Sequence, residues 1–216
     1  MVINIRNTEK VASFSHLFGA GASFIGLVVL LFATWGRWDF FFVSLVYGLG
    51  ALCMFLASGI YHAQKREEDS LNVWRKLDHV AIFIMIAGTY TPMCYAYLEG
   101  AWFWSIVGVQ WGCVLAGVFF KVFYLHAPRI ISPILYLLMG WMALIPMNIL
   151  WHSMSSLSFW LLVAGGVAYS IGAVIYALKK PNPLPGVFGF HEIFHIFILL
   201  GAILHYFMVY IAVTQV

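Results

Sequence analysis

Residues 189–213 read Gly-Phe-His-Glu-Ile-Phe-His-Ile-Phe-Ile-Leu-Leu-Gly-Ala-Ile-Leu-His-Tyr-Phe-Met-Val-Tyr-Ile-Ala-Val, with Glu192 as the single Asp, Glu, Lys or Arg. A helix of about 20 mainly apolar residues crosses a hydrocarbon core of about 30 Å, so this run predicts a membrane-spanning helix. Its first turns nevertheless carry His191 and His195. An ionisable side chain at such a place is costly unless it has a partner or a job.

The rest of the chain has the same character. Of its 216 residues 63% are hydrophobic and 9% charged, against about 25% charged in ordinary soluble domains. A core of this size cannot hide that excess, so the solvent is lipid. The net charge of +3 forms no basic patch, which speaks against a nucleic-acid partner. Cys53, Cys94 and Cys113 each sit inside an apolar run, with no CxxC, and read as free buried thiols. Only Arg6 and Lys10 precede the first apolar run, and no clear cleavage site follows it; a retained first helix is expected, not a removed signal peptide.

Seven apolar stretches appear, at 12–34, 39–63, 77–97, 101–124, 129–151, 157–178 and 189–213. Short connections join them, so residues 1–216 are expected to form one all-α domain, a seven-transmembrane-helix bundle. Lys and Arg concentrate on the cytoplasmic side of membrane proteins. Arg6, Lys10, Lys65, Arg66, Arg75, Lys76, Lys121, Arg129, Lys179 and Lys180 fall on the N-terminal side, and Arg37 alone on the other. The N-terminus is therefore predicted to be cytoplasmic and the C-terminus outside. Residues 64–76, with Lys65-Arg66-Glu67-Glu68-Asp69, become the main cytoplasmic loop. Trp35, Trp38, Trp102, Trp104 and Trp151 fall near the opposite surface, as an aromatic belt does. Pro92 and Pro146 predict kinks, and Gly165, Gly166 and Gly172 allow close helix contact.

This topology brings a set of polar groups to one depth. His62 ends the second span, Asp78 begins the third, and His191 and His195 begin the seventh, all on the cytoplasmic side. His191 and His195 are four apart, so their rings share one helix face. Ser58 lies one turn deeper than His62. Three histidines leave the fourth position of a tetrahedral zinc open, the pattern of a catalytic site. Asp78 would then orient or deprotonate a water in that position, with Ser58 in reach of a ligand, that water or Asp78. A lone histidine in a membrane helix more often bonds a neighbour than a metal. On that ground His16, His79, His126, His152 and His205 are set aside: His79 points about 100° from Asp78 and His205 lies about 15 Å beyond His195. His191-Glu192-Ile193-Phe194-His195 also spells H-E-x-x-H, in which Glu192 would be the general base of a metalloprotease. That reading leaves His62 and Asp78 without a role.

The motifs Ser58-Gly-Ile-Tyr61-His62, Asp78-His79 running on to Ala87-Gly88-Thr89-Tyr90-Thr91-Pro92, and His191-Glu192-Ile193-Phe194-His195 resemble the haemolysin III family, the bacterial branch of the progestin and adipoQ receptors. Ser15-His16 and the Ala-Gly-rich first span look alike too, and the resemblance runs over essentially the whole chain. It implies a multi-pass protein of the bacterial inner (plasma) membrane with seven helices and its N-terminus inside. It further implies zinc held by His62, His191 and His195, with Asp78 and Ser58 supporting a water on it. The eukaryotic adiponectin receptors of the family are associated with ceramide hydrolysis, and the wider superfamily, with its alkaline ceramidases, is regarded as a group of membrane hydrolases.

The leading expectation is thus a zinc-dependent hydrolase of a lipid amide or ester bond, with membrane lipid as environment and substrate. A sensor or receptor with a structural zinc site is the alternative from another class, and a pore-forming haemolysin the third. The sequence sets no oligomeric state.

Overall fold

The computed structural model describes residues 5–65, 73–123 and 131–215; Arg66, Glu67, Glu68, Asp69, His126 and Arg129 lie outside the described residues. Each apolar run folds as a helix because no water is present at that depth to satisfy free backbone groups. The helices are α1 (Lys10–Ala33), α2 (Trp38–Gln64), α3 (Val73–Tyr97), α4 (Gly100–Phe123), α5 (Ile131–Gly140), α6 (Met147–Ser153), α7 (Ser156–Leu178) and α8 (Phe190–Thr214). Among the described residues six single helices are long and apolar enough to cross a membrane, and α5 with α6 makes a seventh, broken span. The fold is an all-α seven-span bundle, and helix ends fall within a few residues of those expected.

The break in the fifth span has a sequence cause. Gly140 and Pro146 flank a 3-10 turn, Trp141–Leu144, and the two helices meet at 56°. Tyr90 of α3 serves the freed backbone: its hydroxyl donates to the Gly140 carbonyl at 2.6 Å and accepts from the Ala143 N–H at 2.8 Å. Pro92, also expected to kink its helix, lies fully buried inside α3, which runs on past it to Tyr97. The hydroxyls of Thr89 and Thr91 bond back to the carbonyls of Met85 and Ala87 just before the proline.

Helix α3 is the hub. Its apolar window is 67% buried, the highest share of any span, and it packs on α2, α4, α5 and α8, while α8 also packs on α1, α2 and α7. A Cβ on Gly50 would stand 3.3 Å from the Ile84 carbonyl oxygen, and one on Gly88 3.4 Å from that of Val46. Glycine at both positions lets α2 and α3 approach backbone to backbone. Exposed side chains such as Phe18, Phe32, Leu115 and Leu138 cover the outside, as a lipid-facing surface requires. The five tryptophans named above are all exposed and sit at the ends of α1, α2, α4 and α6 that lie away from the histidines. At that same end Arg37 donates to the Val213 carbonyl, closing the C-terminus of α8.

Candidate metal centre

The last turn of α2 and the first two turns of α8 converge. The ligand-capable atoms of His62, His191 and His195 lie within 4.8 Å of one another. His195 Nε2 stands 3.0 Å from His191 Nε2. Two nitrogens on one tetrahedral ion, each about 2.0–2.1 Å from it, keep roughly 3.3 Å between them, so the His191–His195 pair fits a shared cation after a shift of a few tenths of an ångström, and the set as a whole closes on it with a larger movement from its 4.8 Å spread. Helix α1 holds the two supporting helices at this level: Ser13 donates to the Gly59 carbonyl of α2 at 3.0 Å, and α1 also packs on α8.

The outer sides of two of these rings are held by residues that sequence reasoning passed over. His62 Nδ1 is 2.6 Å from Glu9 Oε2, and Glu9 Oε1 accepts from Lys65 Nζ at 2.7 Å. A carboxylate accepts, so the proton sits on His62 Nδ1 and Nε2 keeps a lone pair for the cluster. His195 Nδ1 is 2.9 Å from His16 Nε2, so its Nε2, which faces His191, is the nitrogen free to ligate. Metal-binding histidines almost always have the second ring nitrogen engaged in this way. The donor set therefore fits a metal ion on two counts, nitrogen spacing and tautomer control. His16 keeps one orphan, a buried Nδ1 without a partner. The Ser15-His16 pair was noticed in the sequence; Glu9, 53 positions from His62, carried no signal.

Asp78 and Ser58 are both buried beside the cluster. Both line the cavity wall together with His62. Asp78 is not among the converging ligand atoms. Of the histidines set aside, two bond elsewhere: His205 Nε2 meets the Leu162 carbonyl at 3.1 Å, and His152 Nδ1 meets that of Asn148 at 2.8 Å. Glu192, the general base of the H-E-x-x-H reading, is buried, and its Oε2 accepts the Gly189 N–H at 2.7 Å, capping the first turn of α8. The unpaired N–H groups of a helix start draw the carboxylate inward, which turns Glu192 to the helix end.

All these groups open on one cavity of about 650 Å³. Its wall includes Ser58, His62, Asp78, His191 and His195 at one end and continues along α3 through Met85 and Thr89 to Met93. Fifteen residues separate Asp78 from Met93, a helical rise of about 22 Å at 1.5 Å per residue. Beyond its polar end the cavity is lined by side chains such as Met54, Ile82, Ile86 and Ile198.

Over residues 4–206 the sequence matches the family described as Haemolysin-III related. It is 33% identical over 207 residues to the "Hemolysin-3 homolog" of Bacillus subtilis (strain 168), covering 93% of this chain and 92% of that protein. It is 31% identical over 204 residues to the "Hemolysin-3" of Bacillus cereus, covering 93% and 90%. A more distant relative is the "ADIPOR-like receptor IZH2" of Saccharomyces cerevisiae, 27% identical over 221 residues and covering 92% and 69%.

Proposed function

The chain belongs to the haemolysin III-related family of integral membrane proteins, and from that premise we propose that it is a zinc-dependent hydrolase of a lipid amide or ester bond. The observation that carries the reading is the pairing of a three-histidine cluster with a long cavity, polar at the cluster and apolar beyond it. A structural site needs its fourth position closed by a protein ligand; among the described residues the converging ligand atoms are three.

His62, His191 and His195 would hold the ion. Zinc supplies Lewis acidity, polarising the scissile carbonyl and making water nucleophilic near neutral pH. The chain's own groups do the rest. The Asp78 carboxylate takes a proton from the attacking water and returns it to the leaving amine or alcohol. Ser58, buried on the same stretch of wall, would hold that water or an oxygen of the transition state. The apolar wall takes the acyl chain, which fixes the carbonyl at one depth, beside the histidines, and keeps bulk water out. We assign the N-terminus to the cytoplasm from the ten-to-one bias of Lys and Arg, which puts the cluster near the cytoplasmic face.

The test is lipid analysis after incubation of purified, zinc-loaded protein with ceramides, phospholipids and acyl amides. Release of fatty acid by the intact protein, and none by Asp78→Asn, is expected. Full zinc with no product from any substrate refutes hydrolysis and leaves a structural zinc in a sensor.

A further inference from the structure

A second cluster in the same cavity has no role in the chemistry above. Lys121, at the end of α4, is 96% buried and lines the cavity. Its ammonium donates to the Ser132 hydroxyl of α5. Among the described residues no carboxylate lies within ion-pair distance of it, whereas Lys65, on the far side of the site, is paired with Glu9 at 2.7 Å. His79 also lines the cavity, and its Nδ1 is buried without a hydrogen-bond partner. Tyr136, one turn beyond Ser132 on α5, donates to the His79 carbonyl at 3.0 Å, which sets His79 beside the Lys121–Ser132 contact, and Arg75 is another residue of the cavity wall. Cations and donors thus line one stretch of the cavity wall, next to Asp78.

An ammonium at this depth is costly unless it is paired or reaches the interface. A lysine that snorkels runs along the lipid-facing surface; Lys121 instead turns inward, onto a cavity wall. We propose that Lys121, Ser132 and His79 form a subsite for the anionic group, a phosphate or carboxylate, of an amphiphile whose chain fills the apolar length of the cavity. The ammonium and the Ser132 and His79 donors pair with the anion's oxygens, a charge-assisted arrangement. On the hydrolase reading, this names the substrate class: lipids carrying an anionic headgroup, or the fatty acid that cleavage releases.

The test measures binding without turnover, using three amphiphiles with one chain and no carboxylic amide or carboxylic ester bond: hexadecyl phosphate, palmitate and hexadecanol. Affinities are read for purified zinc-loaded protein in a neutral detergent. The intact protein is expected to bind both anions at least about tenfold tighter than hexadecanol. Lys121→Met is expected to lose about tenfold or more for the anions and nothing for hexadecanol, and Lys121→Arg to keep most of the preference. Zinc itself attracts anions, but that part persists in Lys121→Met, so the loss belongs to the lysine. Inorganic phosphate separates the sources: displacement of hexadecyl phosphate by millimolar phosphate marks recognition of the anion alone, and its failure marks a lipid site that needs the chain. Equal affinity of the intact protein for all three probes overturns the proposal, even if Lys121→Met does not fold. An anion preference unchanged in Lys121→Met, or an equal loss for hexadecanol, overturns it too. Turnover of neutral lipids without any anion preference refutes this subsite alone; anion preference without turnover refutes hydrolysis alone.

Discussion

Glu9→Gln removes one negative charge from a residue that no metal would touch. Its carboxylate is buried between His62 Nδ1 at 2.6 Å and Lys65 Nζ at 2.7 Å. Both contacts are charge-assisted or become so when His62 is polarised by a cation, and hydrogen bonds to charged groups are worth about 1.5–3 kcal/mol each. Glutamine keeps an acceptor for one neighbour but turns an NH₂ toward the other. The bond to His62 is then weakened or lost, and the ring is free to rotate or to change tautomer. Changes of this kind behind a metal ligand typically cost 10–100-fold in metal affinity, which is about 1.4–2.7 kcal/mol. The assay is competition for zinc against a chelator of known affinity, run beside thermal unfolding of the metal-free protein. A zinc dissociation constant raised about 10–100-fold is expected, with the metal-free protein still folded but losing about 1.5–3 kcal/mol for the bond to His62. An unchanged zinc affinity in a folded Glu9→Gln protein would refute the claim that Glu9 sets the His62 tautomer.

Three further outcomes are expected. Asp78→Asn keeps most of the zinc and loses hydrolysis, since the shape stays and the base goes; loss of metal as severe as in a histidine variant would make Asp78 a direct ligand. Glu192→Gln lowers the unfolding midpoint, consistent with a cap worth about 0.5–2 kcal/mol, yet keeps activity in the remaining folded protein; abolished turnover at normal zinc content would revive the H-E-x-x-H general base. A reporter that works only outside the cytoplasm is active when fused to the C-terminus, and activity of a cytoplasm-only reporter there would overturn the orientation.

The spans were legible because lipid leaves the chain little choice: an apolar run of this length must bond its backbone internally. Even the break in the fifth span was marked, by Pro146. At Pro92 α3 continues as a helix to Tyr97, with the hydroxyls of Thr89 and Thr91 on carbonyls of the preceding turn. The three histidines could be brought together on paper because topology fixes depth and the i, i+4 spacing fixes a face. Their supports could not. Glu9 reaches His62 across 53 positions, and His16 reaches His195 across 179. Neither pair has a periodicity to betray it; each depends on how α1 packs against α2 and α8. The capping role of Glu192 was hidden for a related reason, because position along the chain does not say which unpaired backbone group a carboxylate will find.

The central claim is that His62, His191 and His195 hold one zinc ion. Metal analysis of protein purified without added zinc tests it most directly, with His195→Ala and His191→Ala beside the intact chain. About one zinc per chain is expected for the intact protein, and a small fraction of that for either variant, because losing one of three ligands leaves no replacement at hand. Full zinc in both variants, or none in the intact protein after exposure to the metal, would contradict it.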